Sequence, residues 1–409
     1  MLLTTPQQVL MFVGLLLAAA MVEPLARFIR LPANAALVLI GWAGSNLLVM
    51  QGIDTGLRWD NFRDIIFFVF IPALVFESSF KMDLRRLWRD LGIILILAMP
   101  AMLTTALIAA ALIYLGIDEA GGFPWIAALI TGALLASTDP SALVQALRRH
   151  HGAERLELIF DGESMLNDAL AIVSFGLLIA LATRQYEMVH TGRVLLQFGE
   201  IFFGGIAVGA VAGVVMAAMM RWLPNAIAHG LITVAAGYLC YVFTDGILGW
   251  SGVMAVLVCG GVLSEYHRRN FGPELRRFLH ELWDFIGYIA NSMIMLLAGV
   301  TVTGVMFQEQ WQSMLIGIAA VITARVVSVQ LNLRLFDLFR RGQRLDRSER
   351  RMIAWGGVRG PVTLALALSL PLELDYWFTI QCIAYGVVLF DLFVQMPVLL
   401  SALKHRPLR

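Results

Sequence analysis

Apolar runs of about 20 residues recur along the chain, separated by short polar or basic interruptions, and each is long enough for a helix to cross the hydrocarbon core. The pattern predicts about thirteen helices, at roughly 8–28, 33–50, 62–79, 92–115, 122–147, 156–182, 194–220, 226–246, 250–266, 278–304, 310–336, 350–371 and 376–402. The expected fold class is an all-α polytopic membrane protein. The first run, Leu10 to Ala20, has a signal-peptide-like core ending in small residues. No Lys or Arg precedes it, so it is expected to remain as the first transmembrane helix.

Composition agrees with the pattern. Hydrophobic residues make up 59% and charged residues 14% of the chain, with a mean hydropathy of +0.78; soluble domains carry about 25% charged residues. The longest polar stretch, Arg340 to Arg351, is too short for a soluble domain of useful size. Cys240, Cys259 and Cys382 lie far apart within apolar runs, which reads as packing and excludes a disulfide framework or metal-ligand spacing. The net charge of +1 says little, but its placement says more. With the N-terminus outside, 24 of the 30 Lys and Arg residues fall on the inner side, 4 on the outer, and Arg325 and Arg359 within spans. The positive-inside rule then puts the C-terminus in the cytoplasm, and the expected location is the cell inner membrane.

Ionisable groups within apolar spans are costly and mark function by default. The fifth span is interrupted at Thr138-Asp139-Pro140. Proline removes a helical donor, and unwound backbone at membrane depth is tolerated only where it lines a cavity or is buried in protein. Carbonyls exposed there can coordinate a hard cation, and a half-helix start can hold a carboxylate such as Asp139. In the sixth span, Ser164 and Asp168 are four residues apart and share one face, while Glu163 and Asn167 share the adjacent one. A hydroxyl and a carboxylate together suit a hard cation. Arg325, deep in the eleventh span, needs a carboxylate, and Glu163 is the expected partner. In the twelfth span, Gly356, Gly357, Gly360 and Pro361 predict a second broken helix with Arg359 at the break. Arg359 is expected either to neutralise half-helix C-terminal ends or to pair with Asp139. Glu77, near the end of a third span bent by Pro72, is either an interfacial carboxylate or an ion-pathway acid. Asp391 in the last span is either a third cavity acid or faces a polar neighbour. Gly205, Gly209 and Gly213 read as a helix-packing face.

The two breaks fall in the fifth and twelfth spans, matching positions if spans one to six and eight to thirteen form inverted repeats around the seventh. Such broken segments point to a transporter's midplane site. Three carboxylates (Asp139, Glu163, Asp168) stand against two guanidiniums (Arg325, Arg359), so the site should seek one cation or one proton. Asp168 is the chosen acid. Competition of Na⁺ and H⁺ for it couples the two flows, and exchange is one for one and electroneutral if only the neutralised core crosses. A K⁺/H⁺ antiporter on the same ligands, a passive cation channel, and an intramembrane aspartyl protease using Asp139 and Asp168 are the alternatives. The dyad gives no reason for two arginines at depth.

At these residues the chain resembles the monovalent cation/proton antiporter family that includes bacterial and animal sodium/proton exchangers. The matching pieces are F-I-P-A-L-V-F-E, T-D-P-S-A-L-V, G-E-S-M-L-N-D-A-L-A-I-V, S-G-V-M-A-V-L-V, A-N-S-M-I-M-L-L-A-G-V and G-G-V-R-G-P-V-T-L, in the family's order. The resemblance implies a dimerisation scaffold (1–91 and 186–308) and a mobile core (92–185 and 309–409), assembled as a homodimer in lipid. It implies Asp168 as the ion-binding carboxylate, assisted by Ser164, the Thr138 backbone and Asp139, with Glu163 and Arg325 as a structural ion pair. The pair Asn167-Asp168 matches the electroneutral branch. Na⁺ (or Li⁺ or K⁺) and H⁺ are the expected substrates, with no cofactor, no enzymatic reaction and no nucleic-acid partner.

Overall fold

The computed structural model describes residues 5–29, 31–50, 62–117, 122–148, 153–183, 191–223, 225–339 and 345–405. No strand occurs among them. The chain opens with α1 (Thr5–Ile29) and α2 (Ala33–Met50). A short α3 (Phe62–Ile65) runs through a π turn (Ile66–Phe70) into α4 (Ile71–Lys81), and α5 (Leu84–Ile96) runs through another (Leu97–Ala101) into α6 (Met102–Gly116). Pro72 follows the first π turn and Pro100 lies in the second. Proline has no N–H to give and collides with the carbonyl one turn back, and the wider turn accommodates both defects while the helix continues.

The fifth span is two half-helices, α7 (Trp125–Ala136) and α8 (Ser141–Leu147). Then come α9 (Glu154–Ala182), α10 (Thr191–Met220), α11 (Ala226–Val242) with a π turn at Phe243–Ile247, α12 (Gly252–Asn270) and α13 (Pro273–Thr301). After the short α14 (Gly304–Glu309) and α15 (Trp311–Phe339), the twelfth span is again two halves, α16 (Arg347–Trp355) and α17 (Pro361–Leu368). The chain closes with α18 (Trp377–Phe390), a π turn (Asp391–Gln395) and α19 (Met396–His405). Every predicted span falls on one of these helices or on halves meeting at a break or π turn. Among the described residues, eight helices are long and apolar enough to cross a membrane by length and composition.

By contact density the chain groups into two units. One holds Met1–Arg63, Gly92–Asn167 and Asn291–Arg409; the other holds Asp64–Leu91 and Asp168–Ala290. The first contains both broken helices and the buried arginines. Its α2 and α13 touch through Gly41 and Gly299, where a methyl group on either would strike the facing backbone. In the second unit the glycine face of α10 performs the packing its spacing predicts: Gly205 and Gly209 lie directly on the backbone of Ser251 and Ala255, and Gly213 lies on Val262. Trp283 is fully buried there, stacked on Phe76 with ring centroids 4.2 Å apart and donating to Thr233 at 3.1 Å.

Candidate ion site

Both helix breaks form where the residues forbid continuation. α7 stops at Ala136, because Pro140 cannot donate to the carbonyl of Ala136 one turn back and leaves that group open. α16 stops at Trp355, before Gly356 and Gly357, and α17 begins with Pro361 at a position whose N–H would be unused in any helix. The two unwound segments touch. The N–H of Asp139 donates to the carbonyl of Val358 at 2.6 Å. Gly360 lies so close to Asp139 that a Cβ there would collide with the Asp139 side chain.

A helix end buried in protein frees carbonyls that must find donors. At the end of α7, the Leu135 carbonyl accepts from Nε of Arg359 at 3.0 Å and the Ala136 carbonyl from Nδ2 of Asn167 at 2.8 Å. The Thr138 carbonyl accepts from the Ser164 hydroxyl at 2.5 Å, and the Thr138 hydroxyl from Nδ2 of Asn167 at 3.2 Å. At the end of α16, the Ile353 carbonyl accepts from Nη2 of Arg325 at 3.2 Å and the Trp355 carbonyl from Nε2 of Gln395 at 2.9 Å. Each C-terminal half-helix end therefore meets a guanidinium, the charge its dipole favours.

The starts carry the opposite sign. The Asp139 carboxylate accepts from the N–H of Ser141, the first residue of α8, at 3.0 Å, and it also lies against Gly360 at the start of α17. Two half-helix starts thus surround one carboxylate.

The arginines have carboxylate partners as well. Arg325 pairs with Glu163 at 2.5 Å, with 3% and 1% of the two side chains exposed. This is the pairing expected from sequence. Arg359 lies 3.8 Å from Asp391, and its own backbone N–H donates to the same carboxylate at 2.7 Å. Of the two roles expected for Arg359, the half-helix end is found. Its acid is Asp391 and not Asp139. Sequence reasoning missed that Arg325 serves α16 as Arg359 serves α7, and it missed Gln395. The signal for Gln395 was its spacing of four residues from Asp391, which puts both near one face of the last span.

The remaining predicted residues are placed as follows. Ser164 and Asn167 hold the α7–α8 break from one helix, α9. Asp168 stands one turn beyond Ser164 on the same continuous helix. Glu77 lies in the other unit, paired with Lys81, which also pairs with Asp284. No group of three or more His, Cys, Asp or Glu side chains with metal-holding geometry occurs among the described residues. The oxygens at the break are of another kind: a backbone carbonyl, two hydroxyls and the Asp139 carboxylate. Carbonyl and hydroxyl oxygens each have two lone pairs, so the Ser164–Thr138 bond leaves both able to accept a cation as well. Such neutral oxygens suit a weakly held monovalent ion.

The model of the family described as sodium/hydrogen exchanger, transmembrane, matches residues 13–404. The Na(+)/H(+) antiporter ApNhaP of Aphanothece halophytica is 30% identical over 394 residues, covering 95% of this chain and 72% of that protein. Sodium/hydrogen exchanger 7 of Arabidopsis thaliana is 30% identical over 383 residues, 90% of this chain, which spans only 33% of that longer protein. Among solved structures, the sodium proton antiporter MjNhaP1 from Methanocaldococcus jannaschii at pH 8 shares the fold, with a TM-score of 0.81 at 20% identity over 97% of this chain and 100% of that one.

Proposed function

The chain belongs to the transmembrane sodium/hydrogen exchanger family, and we propose that it exchanges Na⁺ for H⁺ across the membrane, with Asp168 as the carboxylate that takes each in turn. One observation carries the reading. Ser164 binds the unwound Thr138 carbonyl, and one helical turn further along α9 stands Asp168. The carbonyl, the hydroxyls of Thr138 and Ser164 and the carboxylates of Asp168 and Asp139 form the proposed oxygen set. Asp139 is already held at one half-helix start by the Ser141 N–H and lies against the other at Gly360. Arg325 and Arg359 are engaged by Glu163 and Asp391 and by half-helix carbonyls. These charges belong to the scaffolding of the crossing, and the exchangeable charge is assigned to α9.

A carboxylate within a membrane span costs about 2.5–3.5 kcal/mol when charged, so it gains from taking either Na⁺ or H⁺. It cannot hold both at full strength, and that competition is the coupling. If the site crosses the membrane only when neutralised, the exchange is electroneutral and one for one. The core carrying the crossing would then move against a scaffold that pairs with a second copy, with the N-terminus outside and the C-terminus in the cytoplasm. K⁺ or Li⁺ on the same oxygens is a matter of selectivity. A protease dyad is not favoured, because Asp139 is committed to the helix starts.

Transport in proteoliposomes tests the assignment. Na⁺ added outside should drive H⁺ movement that an imposed membrane potential neither drives nor biases, and Asp168→Asn should abolish it. Full exchange by Asp168→Asn would sink the role of that residue, and a potential-driven flux would sink electroneutrality alone.

A further inference from the structure

The second unit holds a buried pair of histidines that the proposed exchange does not use. His229 near the start of α11 and His267 near the end of α12 are 2% and 1% exposed. All four ring nitrogens are engaged. Nδ1 of His267 faces the Leu263 carbonyl at 2.8 Å, Nε2 of His229 faces the Leu223 carbonyl at 3.3 Å, and the two remaining nitrogens face each other at 3.3 Å.

Counting protons decides what this arrangement holds. A carbonyl only accepts, so each of the two outer contacts needs an N–H on the ring. The contact between the rings needs one more. Three protons are required, and two neutral imidazoles carry two. Neutral rings must therefore leave one of the three contacts as an opposed pair of acceptors in a buried place, which is costly. One added proton satisfies all three.

We infer that His229 and His267 form a second proton-binding site, separate from the α9 carboxylate, which takes one proton between them. The protonated pair ties three elements together: the turn after α10 through Leu223, α11 through His229, and α12 through His267. Loss of the proton frees one of these ties. His267 keeps its bare nitrogen as the acceptor in the middle, because burial, with His229 and His280 alongside, pushes it down to about 4. The added proton then belongs to His229, whose ring donates from both nitrogens.

Charged neighbours share a cavity with His267. Lys81 and Asp83 come from the end of α4, Arg276 and His280 from α13, and Arg268 from α12 itself; with His267 they line a cavity of about 210 Å³. Lys81 is paired with Glu77 and Asp284, and Arg268 with Asp83 and Glu265, so these charges largely offset one another. Arg221, two residues before Leu223, is exposed. Arg276 opposes the added proton, and the hydrogen-bond chain favours it. The cavity gives water and protons a route to His267 at the end of α12 that the positive-inside rule assigns to the cytoplasm.

The test uses the full chain in lipid nanodiscs with ¹⁵N-labelled histidine, where ring nitrogen shifts separate bare from protonated nitrogens. Spectra of His229→Gln and His267→Gln assign the pair among the 7 histidines. As the pH falls from about 8 to 5, the range in which histidine switches, His229 should gain a second N–H while His267 retains only its Nδ1 proton. In His267→Leu, uptake by His229 should require a pH lower by about one unit, a tenfold loss of proton affinity. If that variant does not fold, the wild-type coupling between the facing ring nitrogens replaces it, expected once the proton is bound at low pH. A His229 that stays neutral at about pH 5, or titrates without regard to His267, or shows no such coupling at any pH, overturns the inference. None of these readouts depends on transport, so failure of the Asp168 assignment would leave the result intact.

Discussion

The backbone N–H of Arg359 donates to the carboxylate of Asp391 at 2.7 Å, and the guanidinium of the same arginine reaches that carboxylate at 3.8 Å. One acid therefore orients the second helix break through its main chain and balances its buried charge. Asp391→Asn retains an acceptor for the N–H but removes the balancing charge. The expected loss is about 3–5 kcal/mol of stability, the usual consequence of stripping one partner from a buried ion pair. A thermal melt of the detergent-solubilised protein should show a clearly lowered midpoint, and an unchanged one would contradict the pairing.

Glu163 and Arg325 provide a sharper test of structural against transport roles. Glu163→Gln should cost a similar 3–5 kcal/mol, because Arg325 is left charged and buried. Apolar replacement of both, as Glu163→Leu with Arg325→Met, should recover much of that loss, since the desolvation cost of both charges disappears with them. Recovery will be incomplete to the extent that the Ile353 carbonyl at the end of α16 loses its donor. Comparing the two melts measures this directly.

Ser164→Ala removes one proposed ligand and the donor to the Thr138 carbonyl while leaving Asp168 in place. A hydrogen bond or ligand of this kind contributes about 1 kcal/mol. The half-saturating Na⁺ concentration for exchange should therefore rise about fivefold, with maximal rate affected less. Unchanged Na⁺ dependence would remove Ser164 from the ion's oxygen set.

Two glycines should respond in opposite directions to the same methyl group. At Gly360 a Cβ collides with the Asp139 side chain, so Gly360→Ala should displace that carboxylate from the Ser141 N–H and abolish exchange. At Gly176, within α9, nothing lies within 4 Å of the added carbon. Gly176→Ala should leave exchange intact and raise stability by up to about 1 kcal/mol, because alanine loses less backbone entropy in a helix. Transport and melting measured on the two variants side by side check both outcomes.

What the sequence determined by itself was local or obligatory. Run length determined the helices, since a chain in lipid must satisfy its backbone within each segment. Pro140 and Pro361 determined where two of them break, because a missing N–H acts on its own turn. The need of a buried guanidinium for a carboxylate was legible too, and with Arg325 it pointed to Glu163. Tertiary structure alone decided matters that depend on which distant atoms arrive together. Arg359 had Asp139 as its sequence-level candidate acid, yet the turn that carries Asp391 brings its carboxylate to the Arg359 main chain, while Asp139 is taken by two half-helix starts. Pro72 read as a bend, and the fold places a π turn immediately before it. His229 and His267 gave no signal at all, because two lone histidines 38 residues apart become a proton-counting problem only when their rings and two carbonyls are brought into line.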